Sequence, residues 1–205
     1  MKILLVDDHV VVREGVRRLL ATAIDASISE AGSSRDALQL FRDVHPNVVV
    51  LDLSLPGISG LELIRRFLSE DPAAQILVLS MHSEPIYAAR ALQSGARGYI
   101  SKAAPADELI TAIQRVADGG RYVEHEIAIE LAVGGLARDE RLQQLTNREV
   151  EILRLLGEGN SLRDIADALG VAYKTIVNSC TQMKDKLMLA RTADLIRFAV
   201  EMRRS

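Results

Sequence analysis

Over its first 120 residues the chain alternates short apolar runs with longer amphipathic stretches, and this alternation restricts the possible folds more than any other feature. The runs KILLV (2–6), SISEA (27–31), NVVVL (47–51), QILVL (75–79) and RGYIS (97–101) have the length and side chains of strands. The segments 10–22, 34–43, 60–69, 85–94 and 105–118 carry apolar residues at helical spacing. Five such pairs with short connections predict an α/β domain, doubly wound around a five-stranded parallel sheet. In that architecture ligands bind beyond the carboxyl ends of the strands, so the residues that follow each run are where chemistry is expected.

The periodicity changes after residue 120. A helical segment is expected from about 124 to 133, inside a linker spanning 121–144 whose later part, GGLARDERLQQ, is polar and contains glycine. From Leu145 onward the pattern is entirely helical and predicts a small all-α domain of four helices over 145–205. Thr146 and Glu149 have capping-box spacing at the first, and Ser161 stands where it caps the short second, LRDIADAL. The third, YKTIVNSCTQMKDKL, follows Gly170 almost at once, which is the layout of a helix-turn-helix.

Charge divides along the same line. The net charge is −3, yet residues 145–205 hold ten basic against eight acidic side chains and are the only positive segment. That sign suits contact with phosphates, though an excess of two does not establish it. The one cysteine, Cys180, rules out an internal disulfide and a CxxC metal knuckle. With no long apolar run and no signal-like start, a cytoplasmic protein without membrane contact is expected.

Asp7 and Asp8 follow the first strand, Asp52 the third, Ser80 the fourth and Lys102 the fifth. All five therefore meet at one edge of the predicted sheet. Carboxylates crowded together need a counter-ion, and a hard oxygen donor set with room for water suits Mg²⁺. Such a metal and the Lys102 ammonium together can neutralise a phosphoryl group carried on one carboxylate.

The motifs LLVDDH, VVLDLSLPGISG, VLSMHS and GARGYISKAA, in that order, resemble those of bacterial response-regulator receiver domains, which are flavodoxin-like. LTNREVEILRLLGEGNSLRDIADALGVAYKTIVNS is similar to the LuxR-type helix-turn-helix of the NarL/FixJ family. The resemblance implies that Asp52 accepts a phosphoryl group from a cognate histidine kinase. It also implies that Asp8 ligates Mg²⁺ directly, that Asp7 does so largely through water, and that the Ser54 backbone carbonyl completes the protein ligands. Lys102 would pair with phosphoryl oxygens, Ser80 would swing its hydroxyl toward them, and Tyr99 would turn inward behind it. Ser54 and His82 occupy positions where the family tunes the lifetime of the phosphate. Haloacid-dehalogenase-type phosphatases share this chemistry, but their D-x-D nucleophile motif follows the first strand, where this chain has Asp7-Asp8.

In the third helix of the second domain, Ile176, Cys180, Met183 and Leu187 fall in one narrow sector at 100° per residue, which is a core stripe. Cys180 is then a small buried hydrophobe rather than a redox centre. Opposite it lie Lys174, Asn178 and Thr181, with Gln182 near them and Thr175 at the edge, side chains suited to double-stranded DNA. The resemblance makes these the DNA contacts and makes the phosphorylated form a homodimer on an inverted repeat. It further suggests the helix at about 192–202 as the dimer contact, although Leu195, Ile196, Ala199 and Val200 also fit a core. Val177, Ser179, Thr181 and Asp185 depart from the family's more basic pattern. They keep open a second reading, a protein-binding module that has lost DNA recognition.

Overall fold

The computed structural model describes residues 1–55, 58–81, 85–133, 142 and 144–204. The chain divides into two compact units, Met1–Ala132 and Val133–Ser205. His82 and most of GGLARDERLQQ lie outside the described residues.

The first unit alternates strand and helix: β1 (Lys2–Val6), α1 (Val10–Ala23), β2 (Ser27–Ala31), α2 (Ser34–Val44), β3 (Val48–Leu51) and α3 (Gly60–Glu70). It continues with β4 (Ile76–Ser80), α4 (Pro85–Gln93), β5 (Gly98–Ser101), α5 (Ala106–Ala117), β6 (Tyr122–Val123) and α6 (His125–Val133). The strands form one sheet in the order β2-β1-β3-β4-β5-β6, and every neighbouring pair is parallel. Helices cover both faces, so β3 and β4 are buried at every position, as near-continuous apolar runs require. On one face Ile3, Leu5, Val48, Val50, Leu77 and Ile100 pack with Leu20, Leu109, Ile113 and Val116 of the helices. The order in which strands are added reverses between β1 and β3, and at that switch point the loops after the two strands open a crevice.

The sheet has six strands rather than the expected five. The sixth has two residues, too short to leave a periodic signal, and it falls in the stretch read as a linker. Tyr122 N–H donates to the Arg97 carbonyl at 3.1 Å, and Glu124 N–H donates to the Tyr99 carbonyl at 3.1 Å. Gly98 permits the approach, since a Cβ there would lie 2.7 Å from the Tyr122 carbonyl oxygen. The Tyr122 hydroxyl donates to Glu108 of α5 at 2.6 Å. Burial and the adjacent Glu108 carboxylate push that phenol up to about 12. Residues 121–132 thus belong to the first compact unit.

The second unit is helical: α7 (Asn147–Gly157), α8 (Leu162–Ala168), α9 (Tyr173–Leu187) and α10 (Thr192–Arg204). Both anticipated caps form. Thr146 and Glu149 make a reciprocal capping box at α7, and Ser161 makes one with Asp164 at α8. Gly170, at φ +62°, turns the chain between α8 and α9 in a backbone region that a residue with a Cβ seldom adopts. Glu149 also reaches across to α9, where its two oxygens accept from Lys186 Nζ at 2.9 and 2.6 Å.

Burial alone would push the Glu149 carboxyl up, but the Lys186 ammonium and the Thr146 donors outweigh it and hold the group below the ordinary glutamate range. A carboxyl depressed in the folded state contributes stability above its unfolded pKa and loses it as pH falls through the folded one. Glu149→Gln is therefore expected to cost about 2 kcal/mol at pH 7. The gap from wild type in thermal unfolding should close as the pH drops through the carboxylate range. A gap that stays constant with pH would contradict this.

Candidate functional site

Asp7 and Asp8 lie just past β1, Asp52 just past β3, Ser80 ends β4, and Lys102 directly follows β5. Because all these strands are parallel and neighbouring, their ends deliver the five side chains to one edge. Register does the rest: Val6 is paired with Leu51, and Ser80 with Ser101, so the residues that follow sit level.

At the centre is an ammonium held between two acids. Lys102 Nζ is 2.5 Å from Asp7 Oδ2 and 2.7 Å from Asp52 Oδ2. The carboxylates are 2% exposed and the lysine side chain 6%. Burial pulls the Lys102 ammonium down, but the two carboxylates it touches prevail and raise it. Asp52 is raised as well, because burial and the charge of Asp7 outweigh the pull of Lys102 and of the Ser54 amide. Burial is the larger reason for Asp52, and the two carboxylates are the reason for Lys102; by geometry a single cation faces two buried anions and leaves a surplus negative charge. The pocket therefore favours any added positive charge, proton or metal.

Each acid is oriented by the backbone. Ser54 N–H donates to Asp52 Oδ1 at 3.0 Å, and His9 N–H donates to Asp7 Oδ1 at 2.8 Å. Carboxylate oxygens of Asp7, Asp8 and Asp52 and a ring nitrogen of His9 lie within 4.8 Å of one another, a donor set that could hold a metal ion. Asp8 is the open side of the pocket at 31% exposure, with its Oδ1 2.9 Å from His9 Nδ1. Ser80 and Tyr99 are fully buried, and the Ser80 carbonyl accepts from Lys102 N–H at 2.7 Å. Tyr99 is thus turned inward.

Two participants were not anticipated. His9 adjoins both leading acids, and its position directly after Asp7-Asp8 was the available signal. Arg13, one helical turn into α1, donates from its guanidinium to the Asp7 carbonyl at 2.6 Å and faces Glu30. Nothing in the sequence pattern singles it out.

In the second unit the core stripe of α9 is as predicted: Ile176, Cys180, Met183 and Leu187 are buried. Burial pushes the Cys180 thiol up, which suppresses thiolate formation and argues against redox chemistry. Lys174, Thr175, Asn178, Thr181 and Gln182 are all exposed, and so is Asp185. Thr181 donates its hydroxyl back to the Val177 carbonyl at 3.2 Å. No side chain caps the N-terminus of α9 at Ala172, and Tyr173 stands 53% exposed beside it. In α10, Leu195, Ala199 and Met202 are buried, whereas Ile196 remains 41% exposed and Val200 partly so.

A crevice acid at the switch point of a doubly wound sheet, bridged to a buried lysine, together with a helix-turn-helix unit, defines a receiver-type signalling protein with a DNA-binding module. The comparisons agree. Residues 3–114 match the response regulator receiver domain, and residues 143–199 match the luxR family of bacterial regulatory proteins. The chain is 41% identical over 199 residues to the methanol utilization control regulatory protein MoxX of Paracoccus denitrificans, covering 96% of this chain and 89% of that one. It is 39% identical over 206 residues to the transcriptional activator protein ExaE of Pseudomonas putida, covering 98% and 96%. A crystal structure of a LuxR-family two-component response regulator from Aurantimonas superposes with a TM-score of 0.62 at 40% identity, covering 64% of this chain and 95% of that one. The RcsB response regulator of Salmonella enterica, bound to promoter rprA in the presence of phosphomimetic BeF3−, gives 0.69 at 25% identity and 98% of both chains. The chain belongs to the NarL/FixJ family of response regulators, with a receiver followed by a LuxR-type DNA-binding domain, and is a transcriptional regulator of a two-component system.

Removing the central cation should expose how much the crevice depends on it. Lys102→Met leaves two buried carboxylates facing one another and is expected to cost about 3 kcal/mol in urea unfolding at pH 7. An unchanged midpoint would mean that the ion pair is not formed.

Proposed function

We propose that Asp52 is the phosphoacceptor and that its phosphorylation by a histidine kinase promotes dimerisation and DNA binding. The observation that carries this reading is the Lys102 ammonium already seated against Asp52, where an incoming phosphoryl group needs positive charge. One Asp52 oxygen attacks the phosphorus of the phosphohistidine, the P–N bond breaks, and the imidazole leaves and takes up a proton. The new group is a dianion in a crevice that already holds surplus negative charge. Asp7, Asp8, Asp52 and the Ser54 carbonyl are the residues that would hold Mg²⁺, which when bound supplies the charge that neutralises the phosphoryl oxygens. The donor set fits: three carboxylates converge and one ammonium cannot balance them. Lys102 then exchanges its contact with Asp52 for the phosphoryl oxygens. Ser80, at the end of the adjacent strand, carries the hydroxyl that would follow them, with Tyr99 of the neighbouring strand as the inward aromatic. The protein transfers the group to itself and releases it slowly by hydrolysis, which makes it a switch.

Intact-mass measurement after incubation with acetyl phosphate and Mg²⁺ should show one added phosphoryl group in the wild type and none in Asp52→Ala. An equal shift in both would sink the assignment.

The output is contact of α9 with the major groove through Lys174, Thr175, Asn178, Thr181 and Gln182, in a cytoplasmic homodimer on an inverted repeat. The RcsB relative's complex with promoter DNA in the presence of a phosphomimetic supports that route. Cations at this surface are sparse. Lys186, in the last turn of α9, is already committed to Glu149. With two or three phosphate contacts per domain, the logarithm of affinity should fall against the logarithm of salt with a slope of roughly −2 to −3 per domain. A slope near −10 for the dimer would overturn the sparse-contact reading, and no enriched motif in a random-sequence selection would point to protein binding instead.

A further inference from the structure

Beyond the residues that ring the crevice, Glu124 occupies an unexpected position. It lies 22 residues past Lys102, between β6 and α6, in a stretch that the sequence presents as linker. Its carboxylate Oε2 accepts from the Ser101 N–H at 2.7 Å, and its own N–H donates to the Tyr99 carbonyl at 3.1 Å. Those two bonds grip β5 on both sides of Ile100, at the residues that lead into Lys102.

The geometry follows from where β6 ends. A parallel ladder continued by one more residue pair would offer the Ser101 N–H a backbone carbonyl from the neighbouring strand. The Glu124 carbonyl is instead directed into α6, where it accepts from Ala128 N–H at 2.9 Å, and the bond to Ser101 N–H is made by the side chain. The side chain of the same residue supplies the missing acceptor. Ser101 is buried at 7% exposure, so its amide has little access to water and would otherwise be left unsatisfied. From the other side the Lys102 N–H is bound to the Ser80 carbonyl at 2.7 Å. The Ser101-Lys102 dipeptide is therefore pinned between β4 and Glu124. The serine hydroxyl adds a tight turn by accepting from Ala103 N–H at 3.1 Å.

We propose that Glu124 is a positioning residue for phosphoryl transfer: it fixes the backbone that aims Lys102 at Asp52. It touches neither substrate nor metal ligand and acts through the Ser101 amide. The inference rests on Asp52 being the phosphoacceptor. Loss of the acceptor lets the end of β5 relax, and the ammonium has to meet both carboxylates at 2.5 and 2.7 Å from a backbone no longer held. Displacements of this kind, remote from the reacting atoms, can slow a reaction by one to two orders of magnitude.

The test uses the full chain, acetyl phosphate and Mg²⁺, with phosphorylation followed by intact mass over time. Glu124→Ala is expected to phosphorylate about tenfold more slowly than wild type. Glu124→Gln keeps an oxygen at the same reach and should stay within about twofold, whereas Glu124→Asp, one methylene short, should be slow like the alanine variant. Rescue by glutamine separates positioning from a need for negative charge or for bulk. If Glu124→Ala fails to fold, the glutamine and aspartate variants carry the comparison between them. Wild-type rates in both Glu124→Ala and Glu124→Asp, or equal slowing in Glu124→Gln, would overturn the proposal while leaving Asp52 phosphorylated. A wild-type mass that never shifts would overturn the Asp52 reading and this inference together.

Discussion

The ammonium of Lys102, set between the carboxylates of Asp7 and Asp52, is the contact on which the receiver depends. It joins the carboxyl ends of β1, β3 and β5 in a crevice where none of the three groups has much water. Two buried anions and one cation are stable enough to fold and unbalanced enough to attract further positive charge. That deficit suits the crevice to holding a metal ion. Replacing the trio with apolar residues of similar volume is expected to stabilise the fold and abolish that demand.

Much of this was legible because the constraints are local. Parallel strands buried on both faces must be apolar at nearly every position, so β1, β3 and β4 appear in the sequence within a residue of where they lie. The polar residue that ends such a run is equally visible, which is why Asp7, Asp8, Asp52, Ser80 and Lys102 could be named from spacing alone. What spacing does not carry is partnership. That Lys102 bridges to Asp7 as well as Asp52 depends on how distant strands line up, and that Arg13 holds the Asp7 carbonyl or Glu124 reaches the Ser101 amide depends on side-chain reach that periodicity does not encode. The two-residue strand β6 escaped for a simpler reason: its register is set by a backbone approach at Gly98, and two residues have no period.

In the helical unit, periodicity did the same service. The 100° sector that holds Ile176, Cys180, Met183 and Leu187 is buried, and the opposite face of α9 is exposed. For α10 the apolar residues divide: Leu195 and Ala199 belong to the core, while Ile196 is turned out. Counting charges overstated the cationic surface, because the count cannot see that Lys186 is spent on Glu149 within the unit's own frame. The exposed face of α9 carries amides and hydroxyls more than charge.

The short strand β6 has a further consequence for how the receiver behaves in isolation. A fragment ending at residue 120 would leave β5 as a bare sheet margin, with the Arg97 and Tyr99 carbonyls and the Ser101 amide all facing outward unpaired. Open margins of that kind recruit strands from other molecules. Two residues of extended chain and one carboxylate therefore act as a selvedge: they finish the sheet, so that association between molecules is left to surfaces whose pairing can be controlled.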